Sequence, residues 1–130
     1  MRVLVACEFS GTVRDAFTRQ GQYAVSCDLL PSETPGDHYQ GDVRDILHDG
    51  WGMLIAHPPC TYLAGSGLHW NKRVPGRAAL TEEALEFVRL LLTAPIPRIA
   101  LENPIGCISS RIRKPDQTIS RMQVKRRVCG

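Results

Sequence analysis

The sequence predicts an α/β domain built on a mostly parallel sheet of about five strands. Short apolar runs recur at residues 3–6, 23–27, 53–56 and 99–101, the length and composition of buried strands. Apolar residues at helical spacing lie between them, first Val13, Ala16 and Phe17, later Ala84, Leu85, Val88, Leu91 and Leu92. The first, third and fourth runs each give way to a loop of glycine or proline with polar groups. Strands alternating with helices imply right-handed crossovers, and 3-2-1-4-5 is the simplest strand order.

Taken in order, residues 3–6 form the first strand, and Phe9-Ser10-Gly11 turns the chain into a helix that stops at Gly21. Residues 23–27 form the second strand, ending at Asp28. Pro31, Pro35 and Gly36 mark residues 31–40 as a loop with little room for a helix, and Tyr39-Gln40 forms a short third strand before Gly41-Asp42. Residues 43–49 suit a helical turn, and residues 53–56 the fourth strand. Gly65, Gly67, Pro75 and Gly76 predict a long loop over 61–80, of the kind that serves as a functional lid or is disordered. Thr81 is the expected N-cap of the next helix, with Glu82, Glu83 and Glu86 near the positive end of its dipole. Pro95 and Pro97 end that helix, and residues 98–102 supply the fifth strand.

At 130 residues the chain has the size of one domain, expected to divide into a core at 1–110 and a basic tail at 111–130. The first part holds nine Lys/Arg against twelve Asp/Glu, whereas the second holds seven Lys/Arg against Asp116 alone. Arg111, Arg113, Lys114, Arg121, Lys125, Arg126 and Arg127 would either contact phosphates or form a solvated terminus. No apolar stretch has membrane-spanning length and no signal-peptide pattern appears, so a cytoplasmic protein is the expectation. Cys7, Cys27, Cys60, Cys107 and Cys129 are odd in number, widely spaced and without a C-x-x-C, which fits free thiols and no metal site.

The chemistry concentrates at strand ends. The run His57-Pro58-Pro59-Cys60 leaves the sheet where prolines cannot continue the ladder, and it presents a thiol where open α/β sheets bind ligands. Glu102-Asn103-Pro104 ends another strand and brings a carboxylate to the same crevice. A thiol with an acid suits attack on an electron-poor heterocycle, the acid supporting charge on a ring nitrogen. Phe9-Ser10-Gly11 opens a helix without the G-x-G-x-x-G pattern, and Val13 and Arg14 stand where a pyrophosphate would need glycine, so a ligand without phosphates is expected. Asp28 either accepts from ribose hydroxyls or forms a turn, and Asp42 either accepts from an adenine amino group or caps a loop. His57 would orient its loop, stack on a base or be purely structural. Trp70, beside His69, Lys72 and Arg73, would stack on a flipped base or pack the loop.

These residues resemble the DNA cytosine-5 methyltransferases, in the short form carried by phages and prophages. Phe9-Ser10-Gly11 is similar to that family's F-x-G motif, Asp28 to its acidic ribose contact and Gly41-Asp42-Val43 to its G-D-[IV] adenine contact. Pro59-Cys60 is similar to its P-C motif, and Glu102-Asn103 with Gly106 to its E-N-x-x-G motif. The resemblance covers about residues 1–110 and implies a Rossmann-like class I fold binding S-adenosyl-L-methionine through Phe9, Ser10, Gly11, Asp28, Asp42 and Pro58. It implies Cys60 as nucleophile toward C6 of cytosine and Glu102 at N3, with His57, Asn103, Trp70, Lys72 and Arg73 on the DNA side. Thr61-Tyr62-Leu63-Ala64 departs from the Q-x-F-S that follows P-C in the family, and His57-Pro58-Pro59-Cys60 also resembles the D-P-P-Y of amino-methyltransferases. The family sheet continues past its fifth strand and carries a base-reading region, neither of which has a counterpart after Ile119. The implied protein is a truncated member whose uncovered fifth strand favours a homo-oligomer, most simply a dimer. An inactive cofactor-binding remnant and an amino-methyltransferase are the alternatives.

Overall fold

The computed structural model describes residues 1–104 and 106–118. Arg121, Lys125, Arg126, Arg127 and Cys129 lie outside them. Five strands, β1 (Arg2–Ala6), β2 (Tyr23–Asp28), β3 (His38–Gln40), β4 (Met53–Ala56) and β5 (Arg98–Leu101), form one sheet in the order β3-β2-β1-β4-β5. Every pairing is parallel: Leu4 stands between Val25 and Leu54, and Leu54 pairs with Ile99. The expected order is observed, and β5 is one edge of the sheet.

Alternation along β1 divides its side chains between two layers. Val3 and Val5 pack with Ala24 against Val13 and Phe17 of helix α1 (Thr12–Arg19). Leu4 and Ala6 pack on the other face with Val25, Leu54, Leu91 and Ile96, under helix α3 (Arg77–Leu92). The connections leave the sheet centre in opposite directions, so right-handed crossovers place their helices on opposite faces. Val3, Leu4, Val5 and Leu54 are fully buried, each stabilising the fold by about 1.5–3 kcal/mol. Gly21, at φ +83°, ends α1 in the left-handed conformation, its N–H bonding to Thr18 O.

The segment expected to be a long loop is more ordered than its breakers imply. It holds helix α2 (Gly65–Leu68), a 3₁₀ turn (His69–Lys72) and the first turn of α3 (Arg77–Leu92). Thr81 is not the N-cap. Gly76, at φ +82°, takes that position, and Thr81 is buried within the helix, donating to Tyr62 O at 2.7 Å and accepting from Asn71 Nδ2 at 3.1 Å. Arg77 donates to Thr61 O at 3.0 Å and lies 4.9 Å from the Tyr62 ring, so tertiary contacts extend the helix by a turn. The helical turn expected at 43–49 is confined to a 3₁₀ turn at Val43–Asp45.

After β5 the chain returns to the segment that follows Cys60. Gly106 bridges Ala64 in antiparallel fashion and the Cys107 N–H donates to Leu63 O at 2.9 Å. Helix α4 (Ile108–Arg111) follows, and Leu63, Leu85, Val88 and Cys107 form a satellite core beneath it. The boundary expected after residue 110 falls inside α4. Arg111 pairs with Glu82 at 2.7 Å and Arg113 with Asp116 at 2.8 Å, so neither guanidinium is held solely for phosphate. Among the described residues no helix is long and apolar enough to cross a membrane.

Candidate functional site

All five strands run the same way, so β1, β2, β3, β4 and β5 deliver Cys7, Asp28, Gly41, His57 and Glu102 to one edge of the sheet. A crevice of about 280 Å³ opens there, lined by Cys7, Glu8, Phe9, Ser10, Thr12, Val13 and His57. Phe9 is 38% exposed, and Cys7 takes a left-handed φ of +61°. Burial, reinforced by the Asp28 and Asp42 charges, pushes the Cys7 thiol up to about 12.

Glu8 plays a part that sequence reasoning did not assign. It is buried, and its carboxylate accepts from the Val13 N–H at 2.7 Å, the Arg14 N–H at 3.2 Å and Ser10 Oγ at 3.3 Å. The α1 N-terminus is therefore satisfied from within the chain. A phosphate there would meet the Glu8 charge, whereas a cation would be attracted by it. The legible signal was an acidic residue a few positions before a helix start. Arg14 is also redirected: it points inward and is 1% exposed.

The loops after β4 and β5 assemble as one unit. The His57 N–H donates to Ala6 O at 3.2 Å and the Glu102 N–H to Ala56 O at 3.0 Å, extending each strand's ladder by one bond. Asn103 Nδ2 donates to the carbonyl of buried Pro58 at 2.9 Å, tying the acid loop to the thiol loop. His57 Nδ1 lies 3.7 Å from Glu102 Oε2, an ion-pair distance beyond hydrogen-bond range. Among the described residues, His57 Nε2 and Asn103 Oδ1 are buried with no hydrogen-bond partner. Cys60 is a half-buried free thiol, and its carbonyl accepts from the Leu63 and Ala64 N–H groups, which turns the chain toward the Gly106 bridge.

The remaining expected residues stand apart. Asp28 Oδ1 accepts from the Leu30 N–H at 2.9 Å. Asp42 accepts from the Arg44 N–H at 2.9 Å and pairs with its guanidinium at 3.0 Å; the backbone bond foremost, with the guanidinium, holds the Asp42 carboxyl below the usual range. Both carboxylates are thus engaged locally, as turn and cap, and neither lines the crevice. Trp70, Lys72 and Arg73 are exposed on and after the 3₁₀ turn, also away from it. The His69 ring lies 4.8 Å from Trp70, and the Arg73 guanidinium 5.9 Å. Among the described residues no cluster of three or more His, Cys, Asp or Glu is arranged to hold a metal ion.

S-adenosyl-L-methionine carries a sulfonium, an ammonium and a carboxylate, and its adenine is a flat aromatic ring. Glu8, the Ser10 and Thr12 hydroxyls and exposed Phe9 suit those features, and the carboxylates of Asp28 and Asp42 lie at neighbouring strand ends. The residues present fit that group. No protein-family profile, curated protein or solved structure matches this chain.

Proposed function

We propose that this chain is a Rossmann-like class I, S-adenosyl-L-methionine-dependent methyltransferase domain of the DNA cytosine-5 type. The observation that carries the reading is the Asn103–Pro58 hydrogen bond, which joins the Cys60 loop to the Glu102 loop at the edge of the sheet where the Glu8-lined crevice opens. Phe9, Ser10 and Glu8 would hold the cofactor, with Asp28 and Asp42 toward its nucleoside end. When bound, that cofactor supplies an electrophilic methyl group.

Cys60 thiolate would add to C6 of an unstacked cytosine while Glu102 supports charge at N3, which makes C5 the nucleophilic carbon. After methyl transfer a base removes the C5 proton and the thiolate leaves. A paired cytosine is out of reach of the thiol, and flipping it costs a few kcal/mol. Trp70, with His69, Lys72 and Arg73 around it, offers an aromatic and cationic surface for a single strand. Single-stranded DNA is therefore the substrate to try first, with negligible turnover on duplex. Among the described residues β5 is the last strand on its side of the sheet, an edge that would support self-association, read by light scattering at micromolar concentration.

The test combines cofactor calorimetry with transfer of labelled methyl groups to cytosine-containing single strands, using Cys60→Ser as the control. Methylation lost in Cys60→Ser, with covalent trapping on a mechanism-based cytosine analogue, supports the reading. Cofactor binding without transfer would identify a binding module instead. Transfer that survives Cys60→Ser, without trapping, would identify an amino-methyltransferase.

A further inference from the structure

We infer that Arg14 is a positioning residue: it latches residues 32–36 against α1, and that segment in turn clamps the Phe9-Ser10-Gly11 turn from outside the crevice. The guanidinium is spent entirely inside the chain. Nε donates to Asp15 Oδ1 at 2.9 Å; Nη1 to Ser26 Oγ at 2.9 Å and Ser32 Oγ at 3.0 Å; Nη2 to Thr34 Oγ1 at 2.8 Å, Pro35 O at 3.1 Å and Thr34 O at 3.3 Å. Five N–H donors in a rigid plane meet this spread of acceptors, which the three donors of a lysine ammonium do not match.

The clamped segment reaches the turn through two further bonds. The Glu33 N–H donates to Phe9 O at 2.8 Å, and Thr34 Oγ1 donates to Ser10 O at 3.1 Å. Packing is close at the same place. A Cβ on Gly11, at φ +79°, would stand 2.2 Å from Thr34 Oγ1 and 2.5 Å from Arg14 Nη2, and one on Gly36 would stand 2.7 Å from Arg14 Cζ. Both glycines are where the chain closes on the guanidinium.

Apolar burial does not hold this segment. Pro31, Glu33, Thr34, Pro35 and Gly36 are exposed, as are Leu29 and Leu30 before them. Its far end is fastened by His38, whose ring bonds Ser26 Oγ and Leu30 O, and by the Ser26 N–H to Asp37 O. The near end depends on Arg14. A segment held by polar contacts with little buried apolar area opens more readily than the sheet beneath it, so the stiffness of Phe9 and Ser10 is set by the latch. The effect on ligand affinity rests on the cofactor reading above; the clamp itself does not.

The experiment compares the full chain with Arg14→Lys and Thr34→Val by hydrogen exchange and by calorimetry with S-adenosyl-L-methionine. Thr34 is exposed, so its variant keeps the core intact. Exchange at the Glu33 amide, which donates to Phe9 O, should accelerate about five- to hundredfold in Thr34→Val, which loses the bond from Arg14 Nη2 and the bond to Ser10 O, and by more in Arg14→Lys, while β1 and β4 amides stay protected. Cofactor dissociation constants should rise in the same order. Unchanged exchange at the Glu33 amide in either folded variant overturns the inference, as does acceleration spread evenly through the sheet. Local acceleration in a protein that binds no S-adenosyl-L-methionine even as wild type leaves the clamp standing and removes the cofactor reading.

Discussion

Gly106→Ala should be among the most damaging small substitutions in the chain. A Cβ on residue 106 would stand 1.8 Å from Leu63 O, 2.7 Å from Leu63 C and 2.8 Å from Ala64 Cα, and all three are backbone atoms with no rotamer to yield. Real Cβ contacts essentially never fall below 3.0 Å, so the two segments must part by about 1 Å or more. That separation breaks the Cys107 N–H to Leu63 O bond and the Ala64–Gly106 bridge, and it draws Leu63 and Cys107 out of their cluster with Leu85 and Val88. Overpacking costs about 1–3 kcal/mol and the lost hydrogen bond about 1 kcal/mol, together roughly 2–4 kcal/mol. For a domain of this size the melting temperature should fall by roughly 6–15 °C. Urea titration and thermal melting measure it against Gly52→Ala, where the new Cβ meets chiefly the flexible Met1 side chain at 2.8 Å and should cost under about 0.5 kcal/mol. If Gly106→Ala proves as stable as Gly52→Ala, the close approach of the two loops is not as described.

Four further outcomes are expected. Burial pushes the Cys7 and Cys27 thiols up to about 12, so alkylation near pH 8 with peptide mapping should label half-buried Cys60 before Cys7 and Cys27; preferential labelling of Cys7 would contradict it. The same two thiols stay protonated in the fold while an unfolded chain ionises them from about pH 9. Their contribution to stability is therefore complete below about pH 9 and lost as pH rises toward 12, visible as a falling urea midpoint over that window. Glu8→Gln removes the charge that caps α1 and should lower stability by about 0.5–2 kcal/mol; an unchanged denaturation midpoint would mean that the Val13 and Arg14 N–H groups find other partners. Asp28→Ala should weaken S-adenosyl-L-methionine binding by about 1–3 kcal/mol in calorimetry, and equal affinity would place the ribose elsewhere.

Strand positions were legible because a buried parallel strand must be apolar on both faces, and residues 3–6, 23–27 and 53–56 are apolar runs bounded by turn residues. The strand order followed from alternation with helices and from crossover handedness, and it is the order observed. The meeting of the Cys60 and Glu102 loops was legible too, since adjacent parallel strands deliver their carboxyl ends to the same edge. Local pattern could not say where α3 begins. Thr81 has the chemistry of a cap, yet the helix starts at Arg77 because Tyr62 and the Thr61 carbonyl, distant in sequence, receive its guanidinium. Nor could it assign Asp42, whose choice between ligand contact and cap turns on the Arg44 N–H, or Glu8, whose carboxylate faces a helix end that no single position specifies. Arg14 is the clearest case: in the sequence it stands only as a residue too large for a pyrophosphate turn. Its burial is decided only when Ser26, Ser32, Thr34 and Pro35 converge in space, because a buried charge is tolerable only where the fold supplies its acceptors.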